Sequence, residues 1–131
     1  MTFVMLRLQY VLLVLGYFWI CSMVEVRSSL MDKQKIIEFF NQLAPQWDAR
    51  MIRDDKKIDF ILDCAGVQKN KSVLDVACGT GVLIPDYLSR GVSKVVGVDI
   101  SPVMINIAMS KFTDPRVQLI NGDIETVDLG E

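Results

Sequence analysis

The chain has 131 residues, 51% of them apolar and 23% charged, and a formal net charge of −2. That length holds one domain with a modest core, and the composition excludes a disordered chain. There is no histidine, and Cys21, Cys64 and Cys78 lack metal-ligand spacing, which sets aside a zinc site and a histidine base.

No basic stripe is visible, so a nucleic-acid module finds no support, although an RNA substrate stays open. Three cysteines in such a chain suit a reducing compartment, hence a cytoplasmic location.

Residues 1–30 differ sharply in character from the rest of the chain. Met1 to Met23 carries one charge, Arg7, and Tyr10 to Met23 is apolar apart from Ser22. That run of about 14 residues is short of the roughly 20 needed to span a bilayer as a helix. It has no clean small-x-small cleavage site after it. Three readings stay open: an anchor giving membrane association through residues 3–23, a buried or partner-packed helix, or an extension ahead of a start at Met31. The segment is treated as separate from a domain over residues 31–131.

Asp32 is placed to cap a helix whose face is Ile36, Phe40 and Leu43, and Pro45 is expected to end it. A second helix is expected from about Asp54 to Ala65, with Ile58, Ile61, Leu62 and Ala65 inward and Gly66 as its stop. Cys64 reads as a small buried apolar residue.

Lys71 to Ile100 is a βαβ unit. The strand Ser72 to Val76 is apolar on both faces, as in a parallel sheet covered on each side. The turn Ala77 to Gly81 comes next, then a short helix to Arg90 with Pro85 in its first turn, then the strand Lys94 to Val98 ending on Asp99. Gly79 and Gly81 supply two glycines of a dinucleotide fingerprint, but the third place is Ile84, and no lysine stands in the turn as a P-loop requires. What remains is a tight turn against which a ligand can press, and an acid suited to two ribose hydroxyls. Asp75 is an acid near the end of a buried strand, costly there unless hydrogen-bonded or set at the mouth of a site. Ser101 caps the next helix with Pro102 at its first position, and Val103 or Met104, Ile107 and Ala108 face inward. Val117 to Ile120 is a third strand, followed by Asn121-Gly122-Asp123-Ile124.

The run Val73-Leu74-Asp75-Val76-Ala77-Cys78-Gly79-Thr80-Gly81 resembles the first motif of class I S-adenosylmethionine-dependent methyltransferases. Val96-Gly97-Val98-Asp99-Ile100-Ser101 resembles the second, and Asn121-Gly122-Asp123-Ile124 the third. Phe39 to Asp48 is similar to the N-terminal segment of small-molecule members of the ubiquinone/menaquinone-biosynthesis type.

The resemblance implies S-adenosylmethionine as cofactor. It implies an α/β, Rossmann-like sheet with helices on both faces, truncated after the third strand, that is, the cofactor-binding half of such a domain. It implies cofactor contacts by Asp75, Ala77, Gly79, Thr80 and Gly81 around the turn. It places Asp99 on the ribose, Ile100 against adenine, Asp123 and Ile124 on the adenine edge, and Trp47 in a segment closing over the cofactor. Trp47 packing the helix against the sheet is the alternative. The family sheet order 3-2-1-4-5-7-6 would leave Ser72 to Val76 as an exposed apolar edge, so a second chain is expected to complete the sheet. A small-molecule methyl acceptor is implied, with no metal and no residue singled out as catalytic. A truncated, non-catalytic cofactor-binding protein is the rival reading.

Overall fold

The computed structural model describes residues 3–6 and 32–129. Its frame is a four-stranded, wholly parallel sheet in the order β1-β2-β3-β4, from Phe3–Leu6 (β1), Ser72–Val76 (β2), Lys94–Asp99 (β3) and Val117–Asn121 (β4). The helices are α1 (Lys33–Leu43), α2 (Trp47–Arg50), α3 (Asp55–Cys64), α4 (Ile84–Ser89) and α5 (Pro102–Lys111), with a 3-10 turn at Ala44–Gln46. Helices flank the sheet on both faces, as in a Rossmann-like methyltransferase sheet.

Alternation along the strands divides the core. Val73 and Val95 join Ile58 and Leu62 of α3 and Ile84 and Tyr87 of α4 in the larger cluster. Leu74, Val96 and Val98 point the other way, towards Val76, Ile120, Val127 and Leu129. The expected caps form: the carboxylates of Asp32 and Asp54 accept from the amides of Gln34 and Lys57, and the Ser101 hydroxyl accepts from that of Met104. Each satisfies an amide that the first helical turn leaves without an intrahelical partner.

Three expectations are corrected. The edge of β2 is not left open, because Phe3–Leu6 pairs along it in parallel, Phe3 opposite Ser72 and Leu6 opposite Asp75. An apolar strand with one unpaired edge has backbone donors and acceptors to satisfy, and a run of strand-forming residues takes that place. Residues 3–6 therefore fill the edge of β2 within the chain, and no second chain is needed to pair with β2.

Membrane association through residues 3–23 is corrected by the same strand. Residues 3–6 are sheet, and among the described residues no helix is long and apolar enough to cross a membrane. Tyr10 to Met23 and Met31 lie outside the described residues.

α1 ends at Leu43, ahead of Pro45, as expected. Ala44 keeps right-handed helical angles (φ −51°, ψ −45°), and Pro45 opens the 3-10 turn that leads into α2. The first turn of a helix tolerates a missing N–H. Cys64 is exposed rather than buried. It lies about 200° round α3 from the buried Leu62. In α5 the buried set is Met104, Ile105 and Ala108, with Val103 and Ile107 half-buried.

Candidate functional site

In-register parallel pairing brings the carboxyl ends of β2, β3 and β4 side by side. Asp99 joins them. Its Oδ2 accepts the Gly79 amide and its Oδ1 the Ser101 amide, each at 2.8 Å. Its backbone carbonyl accepts the Gly122 amide at 3.0 Å and the Asn121 side-chain amide at 2.9 Å. The glycine turn, the end of β3 and the Asn-Gly-Asp turn thus share one residue. Burial pushes the Asp99 carboxyl above its ordinary range, opposed by the two amides. Each carboxylate oxygen can take a second donor, so the residue suits a pair of vicinal hydroxyls as well as its own turn.

The turn between β2 and α4 has left-handed backbone at Ala77 (φ 60°), Gly79 (φ 57°) and Gly81 (φ 76°). An alanine there costs about 1 kcal/mol, a local strain at the position where the resemblance puts the cofactor. The two glycines serve different ends. A Cβ on Gly79 would meet nothing nearer than Met104 Sδ and Trp47 Nε1, both at 3.9 Å, so the space over this residue is open and a ligand can approach its backbone. A Cβ on Gly81 would lie 2.7 Å from both Ile84 Cδ1 and Phe112 Cε2, so this glycine serves internal packing.

The other residues singled out from the sequence lie at different depths around this turn. Thr80 is fully buried, and its hydroxyl donates to Asp48 Oδ1 at 2.5 Å rather than facing outward. Asp75 is also buried and accepts from the Tyr87 hydroxyl at 3.0 Å. Burial pushes its carboxyl up to about 7, the nearby Asp99 charge adds to the rise, and the Tyr87 hydrogen bond opposes it. Gly81 and Ile84 amides are committed to the carbonyls of Cys78 and Gly81. Ile100 is half-buried at the end of β3, and Ile124 is exposed beyond β4.

The segment from α1 to α2 crosses this end of the sheet. Lys33, in the first turn of α1, pairs with Asp123 and, at 2.8 Å, with Glu125. Asn41 Oδ1 accepts from the Ser101 hydroxyl at 2.7 Å. Asp48 takes Lys111 Nζ at 2.7 Å on one oxygen and Thr80 on the other. Burial would raise the Asp48 carboxyl, but the bonds from Lys111 and Thr80 outweigh it and hold it low. The Trp47 indole stands beside Gly79 and meets Phe40 edge-on at 6.1 Å between ring centres. One polar contact therefore reaches each of the three strand ends.

Sequence reasoning missed Lys33, Asn41, Asp48 and Tyr87. Tyr87 sits three positions after Ile84 and falls on the same inward face, a signal that helical period provides. The other three act across 60 residues or more, or 32 for Asp48 to Thr80, and carry no local signal.

The chain is similar to known methyltransferases in sequence and to solved structures in fold. A family model described as a methyltransferase domain matches residues 73–131. A ubiquinone/menaquinone biosynthesis C-methyltransferase of Campylobacter jejuni is 28% identical over 118 residues, covering 76% of this chain and 48% of that protein. A malonyl-[acyl-carrier protein] O-methyltransferase of Acetivibrio thermocellus is 30% identical over 105 residues, covering 78% of this chain and 37% of that protein. The chain thus spans half or less of the length of these relatives. Among solved structures, the [4+2]-cyclase SpnF superposes with a TM-score of 0.61 at 18% identity, covering 73% of this chain and 44% of its own. A DhpI–SAM–HEP complex superposes with a TM-score of 0.58 at 20% identity, covering 74% and 45%.

Proposed function

The chain carries the class I S-adenosylmethionine-dependent methyltransferase fold, whose expected cofactor is S-adenosylmethionine, and from that premise we propose that it binds this cofactor at the ends of β2, β3 and β4 and serves methyl transfer to a small-molecule acceptor. One observation carries the reading. The open Gly79 turn, the Asp99 carboxylate and the Asp123 turn lie on three adjacent strand ends and are tied together through Asp99. A nucleoside with an amino-acid tail needs a turn that it can approach closely, an acceptor for its sugar and an acceptor for its base, in that order.

In this reading Asp99 accepts the ribose hydroxyls and Ile100 lies against the adenine. Asp123 accepts from the adenine amino group, and the Ile124 amide donates to the ring. Ala77, Gly79, Thr80 and Gly81 shape the turn around the methionyl portion, Asp75 supports it from behind through its bond to Tyr87, and Trp47 covers it. The cofactor supplies a methyl group already activated on a sulfonium. The protein's part is to hold the donor in line with the acceptor nucleophile and to exclude water. No described residue is assigned as a general base.

The ubiquinone/menaquinone-type likeness supports an acceptor of small-molecule class, and a cytoplasmic location belongs to the same proposal. The rival is a cofactor-binding protein without turnover. Methyl transfer by the chain to any acceptor decides against it.

The test of the residue assignments is calorimetric titration of S-adenosylmethionine into Asp99→Ala and Asp123→Ala, with circular dichroism on the same samples. Loss of a hydrogen bond to a charged acceptor corresponds to at least about tenfold weaker binding. Unchanged affinity in a folded Asp99→Ala protein withdraws the ribose assignment.

A further inference from the structure

We propose that Lys33 is a gate on the adenine end of the site, competing with the adenine amino group for the Asp123 carboxylate and shifting onto Glu125 when the base is bound. The inference rests on the assignment of Asp123 to that amino group. Three observations carry it.

First, both oxygens of Asp123 are already engaged. Oδ2 takes the Lys33 ammonium, and Oδ1 accepts the Glu125 amide at 3.0 Å. Each oxygen has a lone pair to spare, but an adenine amino group arriving at Oδ2 shares that oxygen with a cation, which weakens it as an acceptor, and the ammonium is the donor on a flexible stem.

Second, Lys33 has a second partner in place. Glu125 Oε2 lies 2.8 Å from the same Nζ. Giving up Asp123 leaves the ammonium neutralised at the rim, so release does not strand a charge. The pair of carboxylates raises the Lys33 ammonium above its ordinary range, and Lys33 holds Asp123 below the usual carboxylate range.

Third, the element that carries Lys33 is lightly anchored. α1 has no buried residue, and in the segment through α2 only Ala44 is buried. α3, by contrast, sinks Ile58 and Leu62 into the core. The N-terminal end of the segment is therefore held at β4 mainly by an ion pair whose lysine side chain is 55% exposed, and such a contact breaks at small cost.

Since adenine is neutral and the rival is a cation, salt distinguishes them. Screening weakens the Lys33–Asp123 pair and leaves the adenine contact almost untouched.

The test titrates S-adenosylhomocysteine into the full chain, wild type, Lys33→Gln, Lys33→Arg and Asp123→Ala, at 20 and 300 mM salt (~10-fold or more apart in ionic strength). Lys33→Gln is expected to bind about two- to fivefold tighter than wild type at low salt. The wild-type affinity rises with salt towards that value, Lys33→Gln stays flat, and Lys33→Arg tracks wild type. Equal or weaker binding by Lys33→Gln, or a wild-type affinity that does not rise with salt, overturns the gate. If Asp123→Ala loses affinity while Lys33→Gln matches wild type, the gate alone fails. If Asp123→Ala binds as wild type does, the adenine assignment fails and takes the gate with it. No binding by any of the four overturns both.

Discussion

Asp75 and Asp99 stand on adjacent strands at the same end of the sheet, and their different fates show how burial divides two similar acids. Asp99 receives two backbone amides, whereas Asp75 has the Tyr87 hydroxyl. Burial therefore lifts Asp75 up to about 7, far above an unfolded carboxyl near ~4. The folded chain binds the extra proton between those two values, so the stabilisation is complete below about pH 4 and is lost as pH rises through 7. Asp75→Asn removes the titration and keeps an acceptor for Tyr87. Its melting temperature should gain on wild type by roughly 5 °C or more between pH 4.5 and 7.5, then hold level. Parallel melting curves across that range would show that Asp75 does not carry the shift.

The residues legible in the sequence were those whose role is local. Ser101, Asp54 and Asp32 cap helices that start within three residues of them, and Gly79 sits in a turn whose shape depends on its neighbours. Gly81 was read for ligand approach, but its hydrogen is required by Phe112, 31 positions away in sequence, and by Ile84. A glycine in a pattern announces close approach without saying by what.

At the scale of elements, β2, β3, β4, α1 and α3 to α5 were legible from period and punctuation: short apolar strands bounded by turn residues, and helices bounded by caps, glycine or proline. β1 was not. Phe-Val-Met-Leu is four residues, too short to stand out in an apolar stretch, and its place beside β2 depends on pairing across 69 positions. α1 was expected to stop at Pro45 and stops at Leu43, and the chain runs on through a 3-10 turn into α2 because a proline at the start of such a turn fits where one inside a helix would not. This segment is bound by polar contacts at Asp123, Ser101 and Thr80 more than by buried apolar area. Local opening should track that difference. Amide hydrogen exchange at Phe39 and Phe40 is expected to be about tenfold or more faster than at Leu62, and to slow when S-adenosylhomocysteine is bound. Equal protection in the two helices would contradict a lightly held segment.

For the whole molecule, the arrangement is a parallel sheet whose carboxyl ends gather the Gly79 turn, Asp99 and the Asp123 turn, with one N-terminal segment drawn across them. Parallel strands with crossover helices place all such ends on one side, which is why three short motifs far apart in sequence become one site. The motifs made that convergence legible, and the likeness of Phe39 to Asp48 pointed to the segment drawn across it; the ties from Lys33, Asn41 and Asp48 were not legible, since each is a single side-chain contact to a residue far away in sequence. The central claim is that this side binds S-adenosylmethionine. Calorimetric titration of S-adenosylmethionine into the folded full chain, with NADH titrated in parallel, tests it most directly. Saturable binding of one S-adenosylmethionine per chain, with NADH giving no heat of binding, is the expected result. A folded chain that ignores S-adenosylmethionine, or one that takes NADH in its place, would contradict the account.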